Sequence, residues 1–292
     1  MNRMSNWLKA GSLSLAMPLV VSALGCAVAP AGDETQKSGE SVGATTEAFG
    51  GYWVYTQNVY SATSLDLGVD TNKSCFLAGV SGNLSSWAGL ETVTQGTYIA
   101  VDRRNGHYFL DISPSADGAS VAGIEVGAKA ICLPTVTNRT APVFHIEGYS
   151  NAAPTLLAPA TKGRQCFLTG IQNTYNFSDP KQAFQHAGDS LRVYQSGGNW
   201  YLTATGVAAG YAACVDVNGA YNPWEWIAPS SGTINEPLAS TSGGVQCLLS
   251  GIGGNFQQGN SWADGVDIGL KSSAQWQMTV SNGKTGWSTC VW

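Results

Sequence analysis

Six cysteines set at matching places in a threefold internal repeat constrain this chain more than any other feature. The copies open with Cys75-Phe-Leu-Ala-Gly-Val, Cys166-Phe-Leu-Thr-Gly-Ile and Cys247-Leu-Leu-Ser-Gly-Ile. They close at Cys132-Leu, Cys214-Val and Cys290-Val. An even set framing a repeat implies oxidised pairs, and so a compartment where thiols do not stay reduced. Many pairings are open to six cysteines, but repetition favours opening to closing within each copy: Cys75–Cys132, Cys166–Cys214 and Cys247–Cys290. Zinc, the competing use of paired cysteines, is disfavoured because no CxxC spacing occurs and the histidines do not recur at equivalent places.

Further landmarks recur around each pair. An aromatic-centred strand lies between the cysteines, as His107-Tyr-Phe-Leu110, Asn199-Trp-Tyr-Leu202 and Gln275-Trp-Gln-Met278. A second apolar strand precedes it, at Ile99-x-Val101, Leu191-x-Val193 and Val266-x-Ile268. Upstream of each opening cysteine stand Trp53-x-Tyr55, Phe144-x-Ile146 and Trp224-x-Trp226, then Leu65, Leu156 and Leu238. The alternation has period two, and turn formers such as Asn105-Gly106, Gly197-Gly198 and Asn282-Gly283 divide it, which are strand and hairpin signals.

The expected fold is therefore all-β: three tandem disulfide-stapled modules of about 80 residues, at 49–134, 135–217 and 218–292. Three such modules can close into one pseudo-threefold unit or follow one another in a row. The expectation is similar modules packed against each other, with Trp53, Trp200, Trp224, Trp226 and Trp276 in their cores. Gly-rich modules of this size have thin cores, and a cystine closing each loop adds up to about 4 kcal/mol in the chain-entropy model.

The seventh cysteine has a different setting. Residues 1–25 carry Arg3 and Lys9, then an apolar run from Ser12 to Leu24 that is too short to span a membrane. The run ends in Ala23-Leu24-Gly25-Cys26, which resembles the lipobox of bacterial lipoproteins. That resemblance implies cleavage before Cys26, a diacylglycerol on its thiol, and a membrane partner through this N-terminal lipid. Ala27 rather than Asp follows the cysteine, which favours the outer membrane or cell surface over inner-membrane retention. Residues 26–48 lack aromatics and apolar periodicity, the composition of a disordered tether.

The middle copy carries a second resemblance. Cys166-Phe-Leu-Thr-Gly-Ile, Gly188-Asp-Ser-Leu-Arg-Val-Tyr194, Gly198-Asn-Trp-Tyr-Leu202 and Ala213-Cys-Val215 resemble a cysteine-framed β module of phage tail-fibre tips and shufflon-type pilus-tip adhesins. The resemblance implies a surface-exposed, adhesin-like β protein of the kind thought to help bind cell-surface glycans. It carries over no binding residue, because the shared positions are structural.

Chemistry is sparse. With 14 basic and 19 acidic residues, net −5, the chain offers no basic patch for nucleic acid. Gly188-Asp189-Ser190-Leu191 spells a serine-esterase motif in the wrong context, since it opens a β-strand of the second repeat. His186 near Asp189 lacks a matched nucleophile, and no carboxylate pair recurs as a glycosidase needs. Asp66, Asp70 and Asn72 fall short of a calcium loop. No enzyme, metal or cofactor is expected. Trp87 and Trp262 lie in the variable segment between the opening cysteine and the next strand, and Tyr175 and Phe184 occupy that segment in the second copy. Aromatics there can stack on sugar rings, which makes these four the candidate ligand-binding residues. The leading expectation is a surface lipoprotein that binds an extracellular glycan or surface protein. The alternative is a structural envelope or assembly protein without a small ligand, and a secreted hydrolase fits less well.

Overall fold

The computed structural model describes residues 45–49, 52–59, 63–84, 97–113, 126–134, 138–146, 153–173, 184–206, 208–220, 223–256, 265–272 and 274–292. Strands dominate, and each repeat contributes the same six in the same order. In the first repeat an extra strand β1 (Thr45–Phe49) precedes them. They are β2 (Tyr52–Val59), β3 (Thr63–Val69), β4 (Lys73–Gly82), β5 (Tyr98–Arg104), β6 (His107–Ser113) and β7 (Val126–Pro134). The second repeat supplies β8 (Val143–Ile146), β9 (Thr155–Pro159), β10 (Arg164–Asn173), β11 (Ser190–Ser196), β12 (Asn199–Thr205) and β13 (Ala208–Asp216). The third supplies β14 (Trp224–Ile227), β15 (Thr233–Ser240), β16 (Gln246–Gly253), β17 (Gly265–Ser272), β18 (Gln275–Ser281) and β19 (Thr285–Val291).

These strands form three sheets, and no sheet belongs to one repeat. The orders are β1-β2-β7-β4-β17-β18-β15, then β3-β6-β5-β10-β13-β8, then β14-β19-β16-β11-β12-β9. Each repeat places its two cysteine strands and its first strand in one sheet, and lends the other three to the next. The first sheet joins repeats one and three, so the exchange closes into a ring. Of the arrangements open to three modules, this interleaved ring is the one adopted rather than a row of self-contained units.

The repeated sequence motif marks the joint. On each opening strand a β-bulge falls between Leu77 and Gly79, Leu168 and Gly170, and Leu249 and Gly251. The glycine after the bulge is where the neighbouring repeat begins to pair: Gly79 with Asp267, Gly170 with Ala100, Gly251 with Arg192. A Cβ at Gly170 would meet the Ile99 carbonyl oxygen at 2.9 Å, so close backbone approach requires glycine there.

Cystines clasp the base of each lent arm. Cys75–Cys132, Cys166–Cys214 and Cys247–Cys290 join register partners on adjacent antiparallel strands, closing loops with sequence separations of 57, 48 and 43. Two of the three strands that each repeat lends lie inside its loop, β5 and β6, β11 and β12, β17 and β18, while β3, β9 and β15 precede the opening cysteine. β4, β10 and β16 pack against one another at the centre. There Phe76 and Phe167 meet at 5.3 Å between ring centroids, with Leu248 at the third equivalent place. One buried apolar cluster spans all three repeats.

The station aromatics tie sheet to sheet. The Trp200 indole N–H donates to the Arg164 carbonyl at 3.1 Å, and that of Trp276 to the Val245 carbonyl at 2.7 Å. Each acceptor lies two residues before the opening cysteine of its own repeat. Tyr108 takes this place in the first repeat, with the Arg139 guanidinium 4.6 Å from its ring centroid. Trp200 and Trp276 are core as expected, and Trp224 and Trp226 are partly buried against it. Trp53 lies on β2 as the register partner of Cys132.

Candidate functional site

The residues singled out in the sequence fare differently in space. Cys26, Trp87, Tyr175 and Trp262 lie outside the described residues. Phe184 is fully enclosed, edge-on to Phe256 at 5.6 Å, with the Lys284 ammonium over the Phe256 ring. Its ring packs the core and presents no face to a ligand.

The esterase-like stretch is a loop device. The Asp189 carboxylate accepts the backbone N–H groups of Gln185 and His186 at 2.8 and 3.0 Å, while the exposed His186 ring stands 3.6 Å away. Ser190 exchanges its hydroxyl hydrogen bond with Thr205 at 3.0 Å on the paired strand. Asp66 accepts from the Gly68 N–H and pairs with His107, and Asp70 pairs with Arg103. Those bonds hold the Asp66 carboxyl below the usual aspartate range, the Gly68 N–H contributing most and the His107 side chain next. Among the described residues no His/Cys/Asp/Glu cluster suited to a metal occurs.

The joints between repeats hold the chemistry that sequence reasoning passed over. At each, the side chain on the closing strand lies beside the glycine, opposite a side chain from the neighbouring repeat. At Gly79 the pair is Lys129 and Asp267, an ion pair at 3.2 Å. At Gly170 it is Tyr211 and Ala100, and the Tyr211 hydroxyl donates to Gln172 Oε1 at 3.2 Å. At Gly251 it is Trp287 and Arg192, with the guanidinium 5.1 Å from the indole centroid. Glycine at 251 leaves the indole room to lie across the strand. Equivalent stations thus carry an ion pair, a tyrosine and a cation over an indole.

The third of these joints borders a groove of about 330 Å³. Trp200, Val193 and the Trp287 indole line it with apolar surface, and Gln165, Arg192, Tyr194 and Gln195 are polar side chains of its lining. Tyr194 is held by stacking on Tyr201 at 5.7 Å. Small-ligand sites share this make-up, an apolar lining with a few converging polar groups, and the volume sits at the low end of their range. The signal in the sequence was divergence at a matched station: Trp287 stands where the other copies have Lys129 and Tyr211. Comparison with protein-family models finds no match to this chain, and comparison with curated proteins finds none either.

Proposed function

We propose that the protein is a non-enzymatic binding module, held at a bacterial cell surface by a lipid on Cys26, that recognises an extracellular glycan. The groove at the joint of repeats two and three carries this reading, because it combines aromatic and amide side chains in a space the size of a small ligand. Three disulfides point to an extracytoplasmic protein. A ring of shared sheets clasped by cystines is also a stiff support, which spares a ligand site the cost of ordering on binding. The lipobox-like Ala23-Leu24-Gly25-Cys26 and the tether that follows supply the anchor in this scheme.

The test is binding of the disulfide-intact chain to a broad glycan array, with the reduced chain as control. Selective binding that reduction abolishes supports the reading, and silence of the folded chain rejects it. A second reading, an assembly protein of the envelope, draws on a separate observation. Val69, Phe144, Leu156 and Ile227 are large exposed apolar residues, and all four sit on edge strands, β3, β8, β9 and β14. Edge strands with apolar side chains invite pairing with another chain. Concentration-dependent oligomers in sedimentation would favour this reading, and a strict monomer would remove it.

A further inference from the structure

The groove holds a combination of groups that narrows its ligand. Two of its lining residues are almost wholly buried, Ser250 at 3 % and Trp287 at 8 % exposure. Ser250 Oγ and Trp287 Nε1 nevertheless have no hydrogen-bond partner in the protein. Buried polar groups left unpaired cost about 1–3 kcal/mol each, so native structures keep few of them without a reason. Both residues line the groove, but these two atoms are themselves closed off from solvent, so other atoms of the two side chains border the open space.

Charge points the same way. Among the described residues Arg192 makes no ion pair, whereas Arg103, Arg104, Lys129 and Arg164 each hold an aspartate. No carboxylate lines the groove. In a chain of net charge −5, this half-buried cation lines a groove with no acid among its lining residues. The equivalent position in the third repeat is Asp267, neutralised by Lys129, and in the first it is Ala100. The cation is therefore particular to this joint and is not required by the fold.

Resting on the glycan reading above, we infer that this groove is the ligand site and that it takes a sugar residue bearing a carboxylate. Arg192 supplies a planar fork of donors that matches a carboxylate. Trp287 and Ser250 wall the space beside that fork. Gln165 and Gln195 add amides at the rim, and Tyr194 offers an aromatic edge. The volume admits about one sugar ring, which suits a terminal or branching acidic residue rather than a long chain.

The experiment follows the indole N–H resonance of Trp287 by NMR in the full, disulfide-intact chain, the resonance being identified by its loss in Trp287→Phe. Methyl β-glucuronide, methyl β-glucoside and sodium acetate are titrated separately. The expected result is a saturable shift with the glucuronide and affinity about tenfold weaker or worse for the glucoside and for acetate, the loss of one charge-assisted contact. Arg192→Gln should bring the glucuronide down to the glucoside's level. Should Arg192→Gln lose its native thermal transition, Arg192→Lys serves instead and should retain part of the preference for the acid.

No shift with the glucuronide overturns the inference. So do equal affinities for the two sugars, or acetate binding as tightly as the glucuronide. If array binding survives in folded Arg192→Gln, the glycan reading stands and this site falls. If the folded wild-type chain is silent on both array and titration, both fall together.

Discussion

Gly251 and Arg192 are register partners across the boundary between the second and third repeats. A Cβ built on Gly251 would stand 2.8 Å from Trp287 Cε3, 3.0 Å from the Leu191 carbonyl oxygen and 3.2 Å from Arg192 Cα. Two of those three atoms are backbone of the neighbouring repeat, which cannot yield without opening the joint. Gly251→Ala should therefore destabilise the protein by about 1–3 kcal/mol, the usual cost of overpacking. Gly188→Ala is the control, since a Cβ there meets nothing within 4 Å. Thermal unfolding of the two variants checks this. A Gly251→Ala midpoint equal to that of Gly188→Ala would show that the joint is looser than these distances imply.

The exchange of strands predicts how the protein unfolds. In isolation, residues 135–217 would leave β11 without β16 and β10 without β5, exposing paired edges and half of each apolar face. Such a fragment should not fold alone even with Cys166–Cys214 formed. In the whole chain, replacing that cystine with two alanines releases a loop of sequence separation 48 and should cost about 2–5 kcal/mol. The loss should appear as one earlier transition of the entire body, because β10 and β11 serve two different sheets. Calorimetry of the double variant decides: a separate low-temperature transition for one third of the molecule would contradict the interlocked ring.

Much of this architecture was legible in the sequence. Period-two alternation and matched stations marked the strands that recur, and the cysteines marked the pairs that close each copy. The ring was not legible, for a physical reason. The strands of Leu168 and Val193 present the same apolar alternation whether they pair within a repeat or with a neighbour. Gly79, Gly170 and Gly251 were the available hint, a small residue held at one station where backbones approach. The candidate groove was not legible either, for a related reason. The sequence singles out the variable segments around Trp87, Tyr175 and Trp262, because loops usually carry ligands. Arg192 and Trp287 sit on regular strands, and only their divergence from Asp267 and Lys129 at equivalent places sets them apart.

His145 gives the fold an acid-sensitive point. It lies on β8 opposite Gly210, 3 % exposed, with Nδ1 in a 2.8 Å hydrogen bond to Thr155 Oγ1 on β9. β8 and β9 belong to different sheets, so this bond crosses between them. Burial opposes the charged ring and lowers its pKa below the ordinary 6.5. The unfolded chain then binds a proton that the folded protein resists, and linkage fixes the sign: stability is full above the unfolded value and falls as pH drops below it toward the folded value. Carboxylates such as Asp66 add their own loss only at lower pH, near and below about 4. Denaturant midpoints measured between pH 7.5 and 5 should therefore decline below about 6.5 in the wild type. His145→Gln keeps a polar group for Thr155 without the titration and should flatten that decline. A wild-type profile already flat over this range would mean that the ring accepts its proton in place, and that the contact between the sheets tolerates the charge.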